Sequence, residues 1–382
     1  MRRTLAVSAA AFGAVALLGV SASSASPRLQ VGIFDDGQTL FSGERAFPLF
    51  KELNVQVLRI SLRWGGPNGV ALRRPSRPTD PADPAYDWRL YDRAVERAKA
   101  ADIEVVFSIV ATPRWANGGT GFNRAPTSFA DLRNFAYAAA TRYSGTYEAS
   151  EMRFLPLVRR WTAWNEPNNP VFLKPQLRRV GGKVVYQSAR DYARICAAVY
   201  DGVHATLRSG AKVACGVTAP RGNNDVSSSR PSVSPLAFLR ALKQAGLKRF
   251  DAYAHHPYYG SRSETPKTAP RAVNGRPPTA VTLGNIQSLV DELTRLYGPK
   301  PLWITEYGYQ TNPPDTFFGV SWAQQASYLS QAFAIARAHP RIDLMLWFLL
   351  QDEPVVSGWQ SGLFTSTGAP KPAFKAYQDL PR

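Results

Sequence analysis

A chain of 382 residues that is 45% hydrophobic and 12% aromatic carries enough apolar side chain for a large packed core, which excludes a disordered or low-complexity protein. The net charge of +18 is scattered without a basic run, so nucleic acid is not an expected partner; we read the charge as arginine-rich composition, with attraction to an anionic envelope or an acidic polysaccharide as the functional alternative. Two cysteines, Cys196 and Cys215, are too few for a thiolate metal site, and either one bridge between a helix and the following strand or two buried thiols would account for them.

In chain order, residues 1–26 have the layout of a secretory signal peptide. Arg2 and Arg3 precede an apolar run over 5–20 and small residues over 21–26, with cleavage expected near Ala25; an uncleaved N-terminal anchor is the alternative. The run is shorter than the roughly 20 residues a bilayer span requires, so we expect a protein secreted to the extracellular space or cell envelope with no stable membrane span. Residues 27–382 read as one catalytic domain. Short apolar, β-prone runs fall at 30–34, 56–61, 104–109, 160–165, 212–217, 252–256, 302–306 and 344–350. Amphipathic stretches separate them: over 88–101, Leu90, Ala94, Val95 and Ala98 share one face, and 189–208 and 322–338 behave likewise, with 372–378 closing the ring. Eight alternations predict an α/β protein, a single (β/α)8 TIM barrel. The Pro-, Gly-, Ser- and Asn-rich segments 64–86, 168–188, 221–235 and 260–283 all follow strands, whereas helix-to-strand connections are mostly short, 145–157 excepted. Long loops on the C-terminal face mark the face that binds something. Gly181-Gly182, between apolar runs, predicts a β-hairpin over 177–186 riding on the fourth loop.

Two of these strands end in a glutamate among aromatics: Trp161-Thr162-Ala163-Trp164-Asn165-Glu166-Pro167 and Leu302-Trp303-Ile304-Thr305-Glu306-Tyr307-Gly308. The ends of the fourth and seventh strands of a closed ring face each other across its mouth, so Glu166 and Glu306 form a candidate carboxylate pair of the kind that cleaves glycosidic bonds. Burial between Trp161, Trp164 and a proline turn raises a carboxyl pKa and suits Glu166 to general acid work. Asn165 can hydrogen-bond a sugar 2-hydroxyl. Asp251, His255, His256 and Asp352 lack the spacing of a metal site, and Asp35-Asp36-Gly37 reads as a turn cap or sugar contact; no metal and no cofactor are expected.

The two glutamate segments, in this order, resemble those of the retaining glycoside hydrolases of clan A, most nearly family 39 and next the cellulase-like family 5. The resemblance implies that Glu166 is the acid/base with Asn165 as its partner, and Glu306 the nucleophile. It also implies that Arg59, in Leu58-Arg59-Ile60-Ser61, holds the nucleophile ionised; a structural ion pair is the other reading of Arg59. His255-His256-Pro257-Tyr258 is similar to the clan's histidine and tyrosine, and strand alternation turns one histidine inward, which we take to be His256, with Tyr258 bonding Glu306. Trp347 is the expected floor of the sugar subsite and Trp115 another wall, with Trp64, Tyr309 and Trp359 as lesser candidates and core packing as the alternative for each. The expected activity is retaining, endo-leaning hydrolysis of a polysaccharide or oligosaccharide by a monomer. Transglycosylation at the same site and a non-catalytic carbohydrate-binding barrel are its rivals.

Overall fold

The computed structural model describes residues 29–206, 210–272 and 278–382; the signal-peptide expectation for residues 1–26 lies outside them. Eight strands form a closed parallel barrel: β1 (Gln30–Phe34), β2 (Val57–Arg63), β3 (Glu104–Val110), β4 (Arg160–Ala163), β5 (Lys212–Thr218), β6 (Ala252–His255), β7 (Leu302–Tyr307) and β8 (Ile342–Phe348). The ring closes where β1 pairs with β8, from Gln30 opposite Leu344 to Phe34 opposite Phe348. Eight helices surround it: α1 (Gly43–Glu52), α2 (Arg89–Ala100), α3 (Phe129–Arg142), α4 (Gln187–Thr206), α5 (Pro235–Gln244), α6 (Gln287–Tyr297), α7 (Trp322–Ala338) and α8 (Pro372–Gln378). This is the (β/α)8 barrel that the alternation of runs predicts.

Strand alternation divides the core in two. On one face of the strands, residues such as Val31, Ile33, Leu58, Ile60, Met345 and Trp347 pack outward beneath the helices. Their neighbours Val57, Val106, Ala214, Ala252, Trp303 and Leu346 fill the lumen. Both faces of each strand are therefore buried, which is why the strands read as nearly continuous apolar runs. Above this apolar plug lies a buried polar layer, where Ser108 Oγ accepts hydrogen bonds from Arg59 Nε and from Thr162 Oγ1, each at 2.7 Å. The carboxylates sit one layer higher, at the mouth.

The loops follow the expected asymmetry. The hairpin on the fourth loop pairs Leu177–Val180 with Lys183–Tyr186, and the long 145–157 connection forms a second small hairpin at the opposite end of the barrel. Cys196 on α4 and Cys215 on β5 form a disulfide between helix and strand, resolving the choice between a bridge and two thiols. Asp35 acts as a tie: its carboxylate accepts from the backbone N–H groups of Gln38, Leu350 and Gln351, and burial pushes its pKa up to about 6. Asp36 likewise accepts from the N–H of Ser61, so Asp35-Asp36-Gly37 braces the rim. Among the described residues no helix is long and apolar enough to cross a membrane.

Candidate active site

β4 stops two residues earlier than its apolar run suggests. After Ala163 the chain enters the left-handed region at Trp164 (φ 67°) and again at Glu166 (φ 36°), and this double turn swings the Glu166 side chain over the barrel axis. The turn is held on every side: Trp164 N–H donates to the Ile109 carbonyl, its indole N–H to the Phe172 carbonyl, and Glu166 N–H to the Val217 carbonyl at 2.9 Å. Non-glycine left-handed residues recur at the ends of β3, β5 and β8, at Ala111, Val217 (φ 48°) and Leu349. On β7 the pairing with β8 shifts register between Ile304 and Tyr307, so that Thr305 and Glu306 both reach the lumen instead of alternating.

The two glutamates meet. Glu166, Glu306 and His256 each offer a ligand atom within 4.8 Å of the others, and both carboxylates are buried. Their surroundings differ. Glu306 Oε1 accepts from Arg59 Nη1 at 2.6 Å, and its Oε2 accepts from the Tyr258 hydroxyl at 3.1 Å. Arg59 is wholly buried, donates through Nη2 to Asn165 Oδ1 at 2.7 Å, and lies over the Phe34 ring. Glu166 has no such direct cation partner: Asn169 Nδ2 donates to its Oε2 at 2.9 Å and His256 Nδ1 lies 3.1 Å from its Oε1. Desolvation dominates, pushing the Glu166 carboxyl up to about 7 against the lesser opposing effects of Asn169 and the more distant Arg59 charge.

His256 stands between the carboxylates. Burial lowers its pKa to about 3, so the ring is neutral at ordinary pH and its contacts are hydrogen bonds, not ion pairs. Nε2 faces Arg59 Nη1, which can only donate, and the Thr305 hydroxyl at 3.0 Å. That leaves Nδ1 to carry the proton toward Glu166 Oε1, with Glu306 Oε2 at 3.4 Å. His255 points the other way, between Thr218 and the Val281 carbonyl. The Glu166–His256–Glu306 spacing could also admit a cation, but every one of these donors is already engaged in the hydrogen bonds just described.

The expected aromatic walls need correction. Trp347 is completely buried, faces the helix layer and donates its indole N–H to the Ser361 carbonyl; its neighbour Phe348 takes the inward position. The run Leu344-Met345-Leu346-Trp347-Phe348 has no polar residue to reveal which members face the lumen. Trp115 is tied to the Ala71 carbonyl and packs edge-on against the buried Trp64, outside the cleft lining, and Tyr309 is buried against Tyr259. Trp359, the lesser candidate, lines the cleft, with its ring 5.1 Å from Tyr258 and 5.2 Å from Phe348. The cleft above Glu166 has a volume of about 1400 Å³. Two asparagines escaped the sequence reading although they lie just beyond Glu166, in Pro167-Asn168-Asn169-Pro170. Asn169 holds the carboxylate, and Asn168 clamps the fourth loop to the fifth through Ala219 and Val233.

A closed parallel barrel with a buried glutamate pair at its C-terminal mouth has the architecture of a glycoside hydrolase catalytic core. Residues 279–377, which include Glu306 but not Glu166, match the family described as "Glycosyl hydrolase catalytic core". No curated protein matches the sequence. Among solved structures, the chain is similar to a family 39 glycoside hydrolase from the gut symbiont Bacteroides cellulosilyticus WH2, with 19% identity, a TM-score of 0.60, and 92% of this chain covering 63% of that one. It thus spans less than two thirds of that protein. A glucosidase from Croceicoccus marinus shares 13% identity at a TM-score of 0.64, over 94% of this chain and 68% of the other. A structure from work on two fungal beta-1,4-galactanases shares 17% identity at a TM-score of 0.57, over 92% of this chain and all of the other. At these identities the likeness is one of fold.

Proposed function

We propose that the chain is a secreted, retaining glycoside hydrolase that cuts within polysaccharide or oligosaccharide chains. The observation that carries this reading is the pair of buried carboxylates with oxygens within 4.8 Å and unlike partners. Retaining enzymes hold their two carboxyl groups about 5 to 5.5 Å apart, whereas inverting ones leave about 6.5 to 9.5 Å for a water. A Glu306 oxygen attacks the anomeric carbon as the bond to the leaving oxygen breaks, and Glu166, protonated because of its burial, delivers its proton to that oxygen. Glu166 then takes a proton from water, whose oxygen displaces Glu306 from the glycosyl ester. Arg59 and Tyr258 orient the nucleophile, Asn165 faces the sugar 2-hydroxyl, and Trp359 with Phe348 supplies the apolar surface on which a sugar ring packs.

Internal cleavage is favoured by a cleft larger than the roughly 300 to 1000 Å³ of ordinary small-ligand sites. Export is favoured by the signal-like N-terminus and by a disulfide suited to an oxidising compartment. The test is a polysaccharide panel with the anomeric configuration of the first-formed product read by NMR. Retained configuration is expected; an inverted product, or no cleavage by wild type in a broad panel, overturns the reading. Sequencing the N-terminus of the exported protein tests cleavage near Ala25.

A further inference from the structure

The cleft is lopsided in charge. Toward the loops after β6, β7 and β8 it presents Tyr258, Phe318 and Trp359; toward the loops after β5 and β6 it presents Arg221, Arg230 and Arg271. A second hollow of about 460 Å³ adjoins it, sharing Pro170 and Arg230 and adding Arg124 and Lys174. Among the described residues lining these two hollows, the acidic one apart from Glu166 is Glu264, which accepts from the Gly260 N–H and lies 3.8 Å from Arg221. Among the described residues, the side chains of Arg124, Lys174, Arg230 and Arg271 form no ion pair. On the outer shell the helices set Glu44, Glu96, Asp201 and Glu292 against several nearby arginines, while others there, such as Arg45 and Arg93, form no ion pair among the described residues.

Overall basicity does not account for this trough, because composition distributes arginine without choosing where carboxylates are withheld. Cations gathered along a concave surface repel one another in the free protein and focus a positive potential into the groove, which draws in anionic ligands and does nothing for neutral ones. Four of the five cations, all but Lys174, are guanidinium groups, and their paired N–H donors match the two oxygens of a carboxylate or a sulfate.

We propose that the substrate is an anionic glycan, bearing uronic acid carboxylates or sulfate esters on the rings that run from the glutamates along Arg271, Arg221 and Arg230 toward Arg124 and Lys174. The inference rests on the hydrolase reading for where the reacting ring lies, and its test is a binding measurement that does not need turnover. In the Glu166→Gln background, calorimetry compares oligogalacturonate with the same oligosaccharide after carboxyl reduction, and dextran sulfate with dextran. At 0.1 M salt we expect at least one charged probe to bind about tenfold or more tighter than its neutral twin, with the margin shrinking in higher salt. The arm that shows the preference identifies carboxylate or sulfate as the source. Arg230→Ala with Arg271→Ala should lower charged-probe affinity about tenfold, and the corresponding lysine pair should recover part of it. Arg45→Ala with Arg93→Ala, which removes the same charge from exposed positions on α1 and α2, should change nothing. Equal binding of charged and neutral twins, or an equal loss from the Arg45 and Arg93 changes, overturns the proposal. A wild type that prefers the acidic probe yet cuts no glycan supports the anionic trough and sinks the hydrolase reading alone.

Discussion

The ends of β4 and β7 carry the same side chain in opposite circumstances. Glu306 is met at 2.6 Å by a buried guanidinium and at 3.1 Å by a tyrosine hydroxyl, whereas Glu166 has an asparagine amide and a neutral imidazole for company. One carboxylate is thus furnished with a countercharge and the other is left to desolvation, whose effect on Glu166 is large enough to bring its pKa to about 7. Two chemically identical groups acquire separate roles from the strands on which they sit: β2 lends Arg59 to one, and the loop after β4 lends Asn169 to the other.

The contrast is broken most severely at its charged end. Glu306→Ala should reduce turnover on the order of 10⁴-fold or more, measured on any glycan the wild type cleaves. Glu166→Gln should cost about 10² to 10⁴-fold on substrates with poor leaving groups and much less on activated aryl glycosides, and should abolish the alkaline limb that the wild-type kcat/KM profile shows near pH 7. The same variant sharpens the comparison through stability. Because the folded-state pKa of Glu166 is raised from 4.5 to about 7, the native protein holds a proton that the unfolded chain releases, and wild-type stability falls as pH rises through that interval. Denaturant unfolding should therefore find Glu166→Gln gaining on wild type by up to ~3 kcal/mol between pH 4 and pH 8, with no such pH-dependent gain if Glu166 titrates normally. The smallest effect is at Asn169. Removing its amide in Asn169→Ala withdraws a bond that favours the charged carboxylate, so the alkaline limb should move upward by about one pH unit while activity at pH 6 changes little.

The barrel was legible because its strands and helices differ in length and period, and because strand-end glutamates among aromatics stand out against the scattered acids of the surface. Arg59 and His256 could be singled out through the resemblance of their segments to those of clan A enzymes, with strand alternation turning one of the two adjacent histidines inward. Trp347 could not be placed, because in Leu344-Met345-Leu346-Trp347-Phe348 both faces of the strand are buried and every residue is apolar, so composition carries no information on phase. Trp115 and Trp64 misled for a related reason: large rings serve the packing between β-loops as well as they serve sugars. The arginine trough was invisible for another cause. Its members come from four separate loops, and only folding shows that they share one concavity with few carboxylates among its described lining residues.

The left-handed residues at the strand ends carry one more implication. Val217 holds a β-branched side chain at φ 48°, a conformation that costs on the order of 1 to 3 kcal/mol and that glycine would adopt freely. Its carbonyl is also what anchors the Glu166 amide. Selection for heat tolerance would reward relaxing that residue, and selection for speed would punish it, so the rim of the barrel is where endurance and turnover are set against each other.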